Sequence, residues 1–153
     1  MKKFASVLGI AIMLIAALAV PVSANNHTDT YEHVTIPSYA YMWSHAARYK
    51  EDMSSSYQRC INAPRTYTSW VFGSSKTNPA NLGELESQLT KPGDPSQTTP
   101  RYIFQTGTTR YMQNWVRENN TQTNLNVPYA GMMFFGGAGY IYEIYCAWSP
   151  DSV

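Results

Sequence analysis

The stretch Gly139–Trp148, Gly-Tyr-Ile-Tyr-Glu-Ile-Tyr-Cys-Ala-Trp, constrains the fold of this chain more than any other. Tyr140, Tyr142, Ile144, Cys146 and Trp148 share one parity, and Ile141, Glu143, Tyr145 and Ala147 the other. A period of two is that of a β-strand, and aromatic and β-branched side chains suit its pleated surface. One face is apolar enough to be core. The other carries a carboxylate and a phenol, so it is at least half wet.

Similar strand patterns recur upstream. In His33–Trp43, Val34 and Ile36 alternate, Pro37 interrupts, and Tyr39, Tyr41 and Trp43 resume on the opposite parity, which predicts an edge position or a bulge. Arg65–Gly73, with Thr66, Thr68, Trp70 and Phe72 on one parity, reads as a clearer strand. Arg101–Gln105 and Thr109–Val116 flank Thr106-Gly107-Thr108, a hairpin turn by its glycine. Val127–Phe135 is a strand interrupted near Pro128 and Gly131, and Gly136-Gly137-Ala138-Gly139 turns the chain into the last strand. Ser44–Gln58 is ambiguous, and Glu118–Asn126, with four asparagines, reads as a polar loop.

Segment 74–100 differs, with four prolines and few aromatics. Within this long connection Asn81–Leu89 predicts a short helix: Asn81 as N-cap, Glu84 three residues on, and Leu82, Leu85 and Leu89 on one stripe. The expectation is an all-β fold, a small antiparallel sandwich or barrel of about six or seven strands with one short helix in that connection.

Residues 1–24 stand apart. Lys2 and Lys3, the apolar run Val7–Val20 and the small residues of Val22-Ser23-Ala24 have the order of a cleaved signal peptide. The run is shorter than the ~20 residues a membrane span needs. Residues 25–153 are then a single secreted β domain, with 25–32 a flexible arm. Lys2 and Lys3 belong to the eleven basic residues, so the mature part is almost neutral against ten acidic ones. Without a basic tract, nucleic acid is not an expected partner, and no stable membrane span is expected after signal cleavage.

Chemistry-bearing motifs are few. Two cysteines in an exported protein, Cys60 and Cys146, most simply form a disulfide, contributing ~4 kcal/mol in the chain-entropy account; two free thiols are the alternative. A strand, not a helix, follows the Gly136–Gly139 run, so it is no phosphate-binding loop. His27, His33, His45 and Ser54–Ser56 match no hydrolytic motif, so an enzyme is not expected, and no cofactor is. Cleavage after Ala24 would leave Asn25-Asn26-His27 at the N-terminus. The Asn25 amine, two amide nitrogens and the His27 imidazole form a square-planar set for Cu(II) or Ni(II), against a solvated arm as the ordinary reading.

All twelve tyrosines and four tryptophans lie in the mature region. A core of this size takes about half of such rings, and the rest mark either a binding surface or ordinary sheet surface. Tyr142, Trp148 and Trp70 are expected inside; Tyr39, Tyr41 and Tyr145 are the expected exposed binding surface.

The signal segment, the aromatic alternation, the Asn-rich loop and the ending Tyr145-Cys146-Ala147-Trp148-Ser149-Pro150-Asp151 resemble small secreted β-rich proteins of Gram-positive bacteria. These include an uncharacterised exported family and the lactococcin-like bacteriocins. The resemblance covers the last third in pattern, without the cysteine pair or the 74–100 insert, and carries over no functional residue. It implies an extracellular, non-enzymatic role and competition with other cells. The expected function is therefore a secreted protein that binds a cell-envelope component or a target-cell surface, with a small secreted hydrolase or enzyme inhibitor as the alternative.

Overall fold

The computed structural model describes residues 28–137 and 139–151. Its strands are β1 (Thr30–Ile36), β2 (Tyr41–Trp43), β3 (Arg48–Tyr49), β4 (Ser56–Asn62), β5 (Tyr67–Ser74), β6 (Leu85–Glu86), β7 (Thr90–Lys91), β8 (Asp94–Thr98), β9 (Tyr102–Phe104), β10 (Thr109–Met112), β11 (Tyr129–Gly136) and β12 (Tyr142–Ser149). Among the described residues one α-helix, α1, spans Val116–Gln122. The fold is all-β, with two antiparallel sheets packed as a sandwich. The first sheet has the order β1-β12-β4-β10; the second has β2-β11-β5-β6, with β3 also on β11 and β9 on β5. β7 and β8 make a separate ribbon. The strands not placed from sequence are β4, seven residues that begin in the ambiguous stretch, and the short pieces β3, β6, β7 and β8.

The alternation in the last strand sets the core. Ile144, Cys146 and Trp148 point inward, joined from the same sheet by Val34, Ile36, Cys60 and Met112. Tyr67, Val71, Ala130, Met132, Phe134 and Phe104 meet them from the second sheet. Burying a large apolar side chain is worth ~1.5–3 kcal/mol, so this layer is the main stabilising term. Trp148 and Trp70 are buried as expected, and Tyr142 is half-buried.

β5 and β11 are buried on both faces. Their outer side chains Trp70, Phe72 and Met133 form a second cluster with Ala47 and Leu85. The connection after β5 covers it: Trp70 Nε1 donates to the Ser87 carbonyl at 2.9 Å and Trp43 Nε1 to the Pro79 carbonyl at 3.1 Å. Gly131 belongs to this close packing, since a Cβ there would lie 2.3 Å from Phe72 Cζ.

The helix expected at Asn81–Leu89 is instead one 3-10 turn, Leu82–Glu84. Asn81 does cap it, accepting from the Gly83 amide at 3.0 Å. Beyond it Leu85 pairs with Ser74 as β6 and is buried, Leu89 enters the main core, and Leu82 stays exposed, so the three leucines do not share a face. α1 occupies part of the segment read as a polar loop. Its sequence, VRENNTQ, is a weak helix former, and tertiary contacts hold it. Asn119 Nδ2 donates to the Thr90 and Trp115 carbonyls at 2.7 and 2.8 Å, and Asn120 Oδ1 accepts from the Val127 amide at 3.2 Å.

Among the described residues, three of the connections that cross between the sheets bear on turns read from sequence. β1 and β2 lie in different sheets, so the parity change after Pro37 is a crossing rather than a bulge, with Tyr39 at φ 55°. Thr106–Thr108 joins β9 of the second sheet to β10 of the first, and the glycine run joins β11 to β12 likewise. Both read as hairpins because a hairpin and a corner demand the same turn chemistry; Gly107 sits at φ 84° in either case. Which partner the next strand takes is decided by residues far away in sequence.

The C-terminal end is tied by a buried ion pair. Lys50 Nζ lies 2.5 Å from Asp151 Oδ1, with the side chains 1% and 0% exposed. Asp52 Oδ1 faces the same ammonium at 3.3 Å. Burial opposes ionisation of Asp52, but hydrogen bonds from Ser54 and the Lys50 charge outweigh it and bring its pKa down to about 2. A carboxyl depressed from an ordinary 3.8 stabilises the fold above that pH and stops doing so as pH falls through about 2. Asp52→Asn is therefore expected to melt below the wild type at neutral pH, with the gap closing between pH 4 and 2 (approximate limits). A gap independent of pH in melting curves would rule this out.

Among the described residues no helix is long and apolar enough to cross a membrane.

Candidate functional site

The first sheet presents an outer face that the alternation of its strands builds directly. With Val34 and Ile36 turned inward, β1 turns Tyr31, His33 and Thr35 outward. β12 adds Glu143, Tyr145 and Ala147, β4 adds Tyr57 and Arg59, and β10 adds Thr109 and Tyr111. Register brings the rings together: Tyr145 opposes His33, and Tyr57 opposes Tyr111.

Two ring groups result. Tyr145 packs against Tyr31 with centroids 6.1 Å apart and receives His33 edge-on at 4.6 Å. Tyr57 and Tyr111 lie 5.8 Å apart. Tyr57 opposes Ser149, four residues beyond Tyr145 on β12, so the groups are roughly 13 Å apart along the strand. Ala147 and Arg59 lie between them, paired in register with Tyr31 and Thr109 on either side. Tyr31 is 62% and Tyr111 64% exposed, which leaves broad ring surface facing water. Burial pushes the Tyr57 phenol above its ordinary value, so it stays a hydrogen-bond donor at neutral pH.

A bulge shapes one end of this face. Tyr145 opposes Asn62 while Cys146 opposes Cys60, leaving Ile61 as the extra residue. Beside it lies a recess of about 160 Å³ lined by His33, Asn62, Glu143, Ile144 and Tyr145. An imidazole, an amide and a carboxylate thus surround a ring edge. The set can donate and accept hydrogen bonds to a polar ligand resting on the tyrosines.

Tyr39, Tyr41 and Tyr145, the surface expected from sequence, do not come together. Tyr39 is 72% exposed in the turn between the sheets. Tyr41 belongs to the second sheet, 5.1 Å from Phe135 and 5.7 Å edge-on to Trp70, whose other partner is the Arg101 guanidinium at 4.5 Å. Tyr145 is half-buried on the first sheet. Sequence reading missed Tyr31, Tyr57 and Tyr111, because it assigned the first to a flexible arm and the second to an ambiguous segment. The usable signal was Tyr31-Glu32-His33-Val34-Thr35-Ile36, which already alternates. The proposed copper site at Asn25 and His27 lies outside the described residues.

The disulfide expected between Cys60 and Cys146 is not formed. They oppose each other across β4 and β12, yet both are free, fully buried thiols. Burial raises both; Cys146 is pushed up to about 12, with Glu32 adding to the effect, and Cys60 also has a hydrogen bond with Tyr67. Thiol oxidation proceeds through an accessible thiolate, and this environment suppresses both the charge and the access. A thiol reagent should accordingly modify no cysteine in native protein and two after denaturation; rapid native labelling would contradict the buried placement.

Among the described residues the histidines and serines weighed from sequence are not brought together. His45 Nδ1 faces Glu32 Oε2 at 2.6 Å, His33 packs on Tyr145, and Ser56 donates to the Pro150 carbonyl at 2.7 Å. Among the described residues no three His, Cys, Asp or Glu side chains are grouped to hold a metal.

A family model described as "Protein of unknown function (DUF2712)" matches residues 20–152. No curated protein matches the sequence. Because the match spans most of the chain, including both sheets and their tyrosine face, the chain belongs to the DUF2712 family.

Proposed function

We propose that this is an exported binding protein whose first-sheet outer face takes a carbohydrate polymer of a cell envelope, its own or another cell's. The observation that carries the reading is the pair of tyrosine groups on one sheet face, with a polar recess at one end. Tyrosine offers a large, rigid, amphipathic surface that costs little side-chain entropy to order. The apolar C–H face of a sugar ring lies flat on such a surface, while its hydroxyl and amide groups need donors and acceptors at the rim. His33, Asn62 and Glu143 supply these. Two ring groups along one strand direction favour an extended polymer over a single small molecule. Export rests on the N-terminal signal segment, and binding at a competitor's surface would give the bacteriocin-like role that the resemblance implies.

The test is co-sedimentation of mature protein with purified insoluble cell-wall polysaccharide. Retention in the pellet, released by soluble fragments of the same polymer, is the expected result. Protein that stays in the supernatant across wall preparations from several bacteria would exclude the reading.

A further inference from the structure

Arg65 lies just past Asn62, where β4 turns into β5 at the end of the tyrosine face. Its guanidinium carbon sits 3.6 Å from the centre of the Tyr140 ring. Stacking occupies the face of the guanidinium and leaves its edge, with the N–H donors in the plane, available. Among the described residues no hydrogen bond or ion pair takes up those donors; the basic side chains in ion pairs are His45, Lys50 and Lys76.

Two recesses meet at this side chain. One, of about 140 Å³, is lined by Arg65, Thr66, Gly137, Tyr140 and Tyr142. The other, of about 360 Å³, is lined by Ala63, Pro64, Arg65, Thr66, Gln105 and Thr106. The corner carrying Arg65 is fastened on both sides. Thr106 Oγ1 accepts from the Ala63 amide at 2.9 Å and donates to the Ala63 carbonyl at 3.0 Å. Tyr142 Oη donates to the Thr66 carbonyl at 3.1 Å. A planar cation held by a ring, on a pinned corner, with its donors facing open recesses, is pre-organised for an oxyanion.

We infer that Arg65, stacked on Tyr140, is an anion-binding residue that selects polymers bearing a phosphate or carboxylate group. The inference deepens the proposed function and rests on it for the identity of the polymer. The oxyanion site itself does not depend on that reading. The shared chemistry is a singly charged oxyanion next to a sugar: the tyrosine face takes the ring, and the guanidinium takes the charge.

Two experiments test this separately. In the first, mature protein is titrated with inorganic phosphate and then acetate at constant ionic strength, and the Arg65 Nε–Hε and Tyr140 ring resonances are followed by NMR. Saturable shifts of both are expected, with the Tyr140 response lost in Arg65→Gln. Absent shifts, or a Tyr140 response that survives in Arg65→Gln, would overturn the anion site whatever the protein binds.

The second compares native cell walls, walls stripped of phosphodiester-linked polymers and walls with amidated carboxyl groups. Wild-type protein should lose affinity on one treated preparation, and that preparation identifies the anion. Arg65→Gln should bind native walls about 10-fold more weakly and match the wild type on the sensitive preparation. Equal binding by variant and wild type to all three, or wild-type insensitivity to both treatments, would overturn the selectivity. Wall binding that is equal in Arg65→Gln and wild type, and so carried by the tyrosine face alone, would leave the proposed function standing, so the two failures are distinguishable.

Discussion

Asp151→Ala is expected to destabilise the fold by about 3–5 kcal/mol, a large share of what a domain this size commands. The substitution leaves Lys50 buried, facing only Asp52 Oδ1 at 3.3 Å and Ser54 Oγ at 3.4 Å. A buried ammonium left with only the longer Asp52 contact carries much of its desolvation cost into the folded state. The Glu51 amide also loses its acceptor, Asp151 Oδ2 at 3.3 Å. Removing both charges should behave differently: Lys50→Met with Asp151→Leu replaces the pair by apolar volume and should recover most of the loss. Urea denaturation of the single and double variants reads this directly. A single variant within ~1 kcal/mol of wild type would mean that the ammonium reaches water and the clasp is incidental.

Replacing Tyr31, Tyr111 and Tyr145 together by alanine is expected to weaken wall binding on the order of 100-fold, at about 1 kcal/mol per ring. Stability should fall far less. Tyr31 and Tyr111 are mostly exposed, and only the half-buried Tyr145 contributes packing against His33 and Tyr31. The parallel replacement of Tyr41 on the second sheet is the control, and should leave binding unchanged. Equal losses from both sets would point to a non-specific aromatic effect; loss from the control alone would move the site to the second sheet.

Local pattern carried the architecture well. The alternation of Ile144, Cys146 and Trp148 located the core face, and the aromatic, turn-punctuated composition pointed to an antiparallel sandwich. Properties that depend on distant residues were not legible. Gly107 announces a tight turn but not that β9 and β10 join different sheets. Leu82, Leu85 and Leu89 are spaced for a helix, yet Leu85 gains a strand partner in Ser74 and Leu89 enters the main core, which outweighs helix propensity in so short a segment. The Lys50–Asp151 clasp spans most of the chain, and no spacing rule couples its ends. The cysteines were paired correctly in space, but the structure holds them as free thiols, because sequence shows their number and not the burial that keeps a thiol protonated. The tyrosine face was only partly legible, since Tyr31, Tyr57 and Tyr111 come from three strands that register alone brings together.

The most direct measurement is an amide and aromatic chemical-shift map of isotopically labelled mature protein titrated with a soluble oligosaccharide released from the cell wall. Perturbations should cluster on Tyr31, His33, Tyr57, Tyr111 and Tyr145, extend to Asn62 and Glu143 in the recess, and spare Tyr41 and Ile103 on the second sheet. A map centred on Tyr41, Phe135 and Ile103, or no perturbation with any wall oligosaccharide, would contradict the assignment of binding to the first-sheet face.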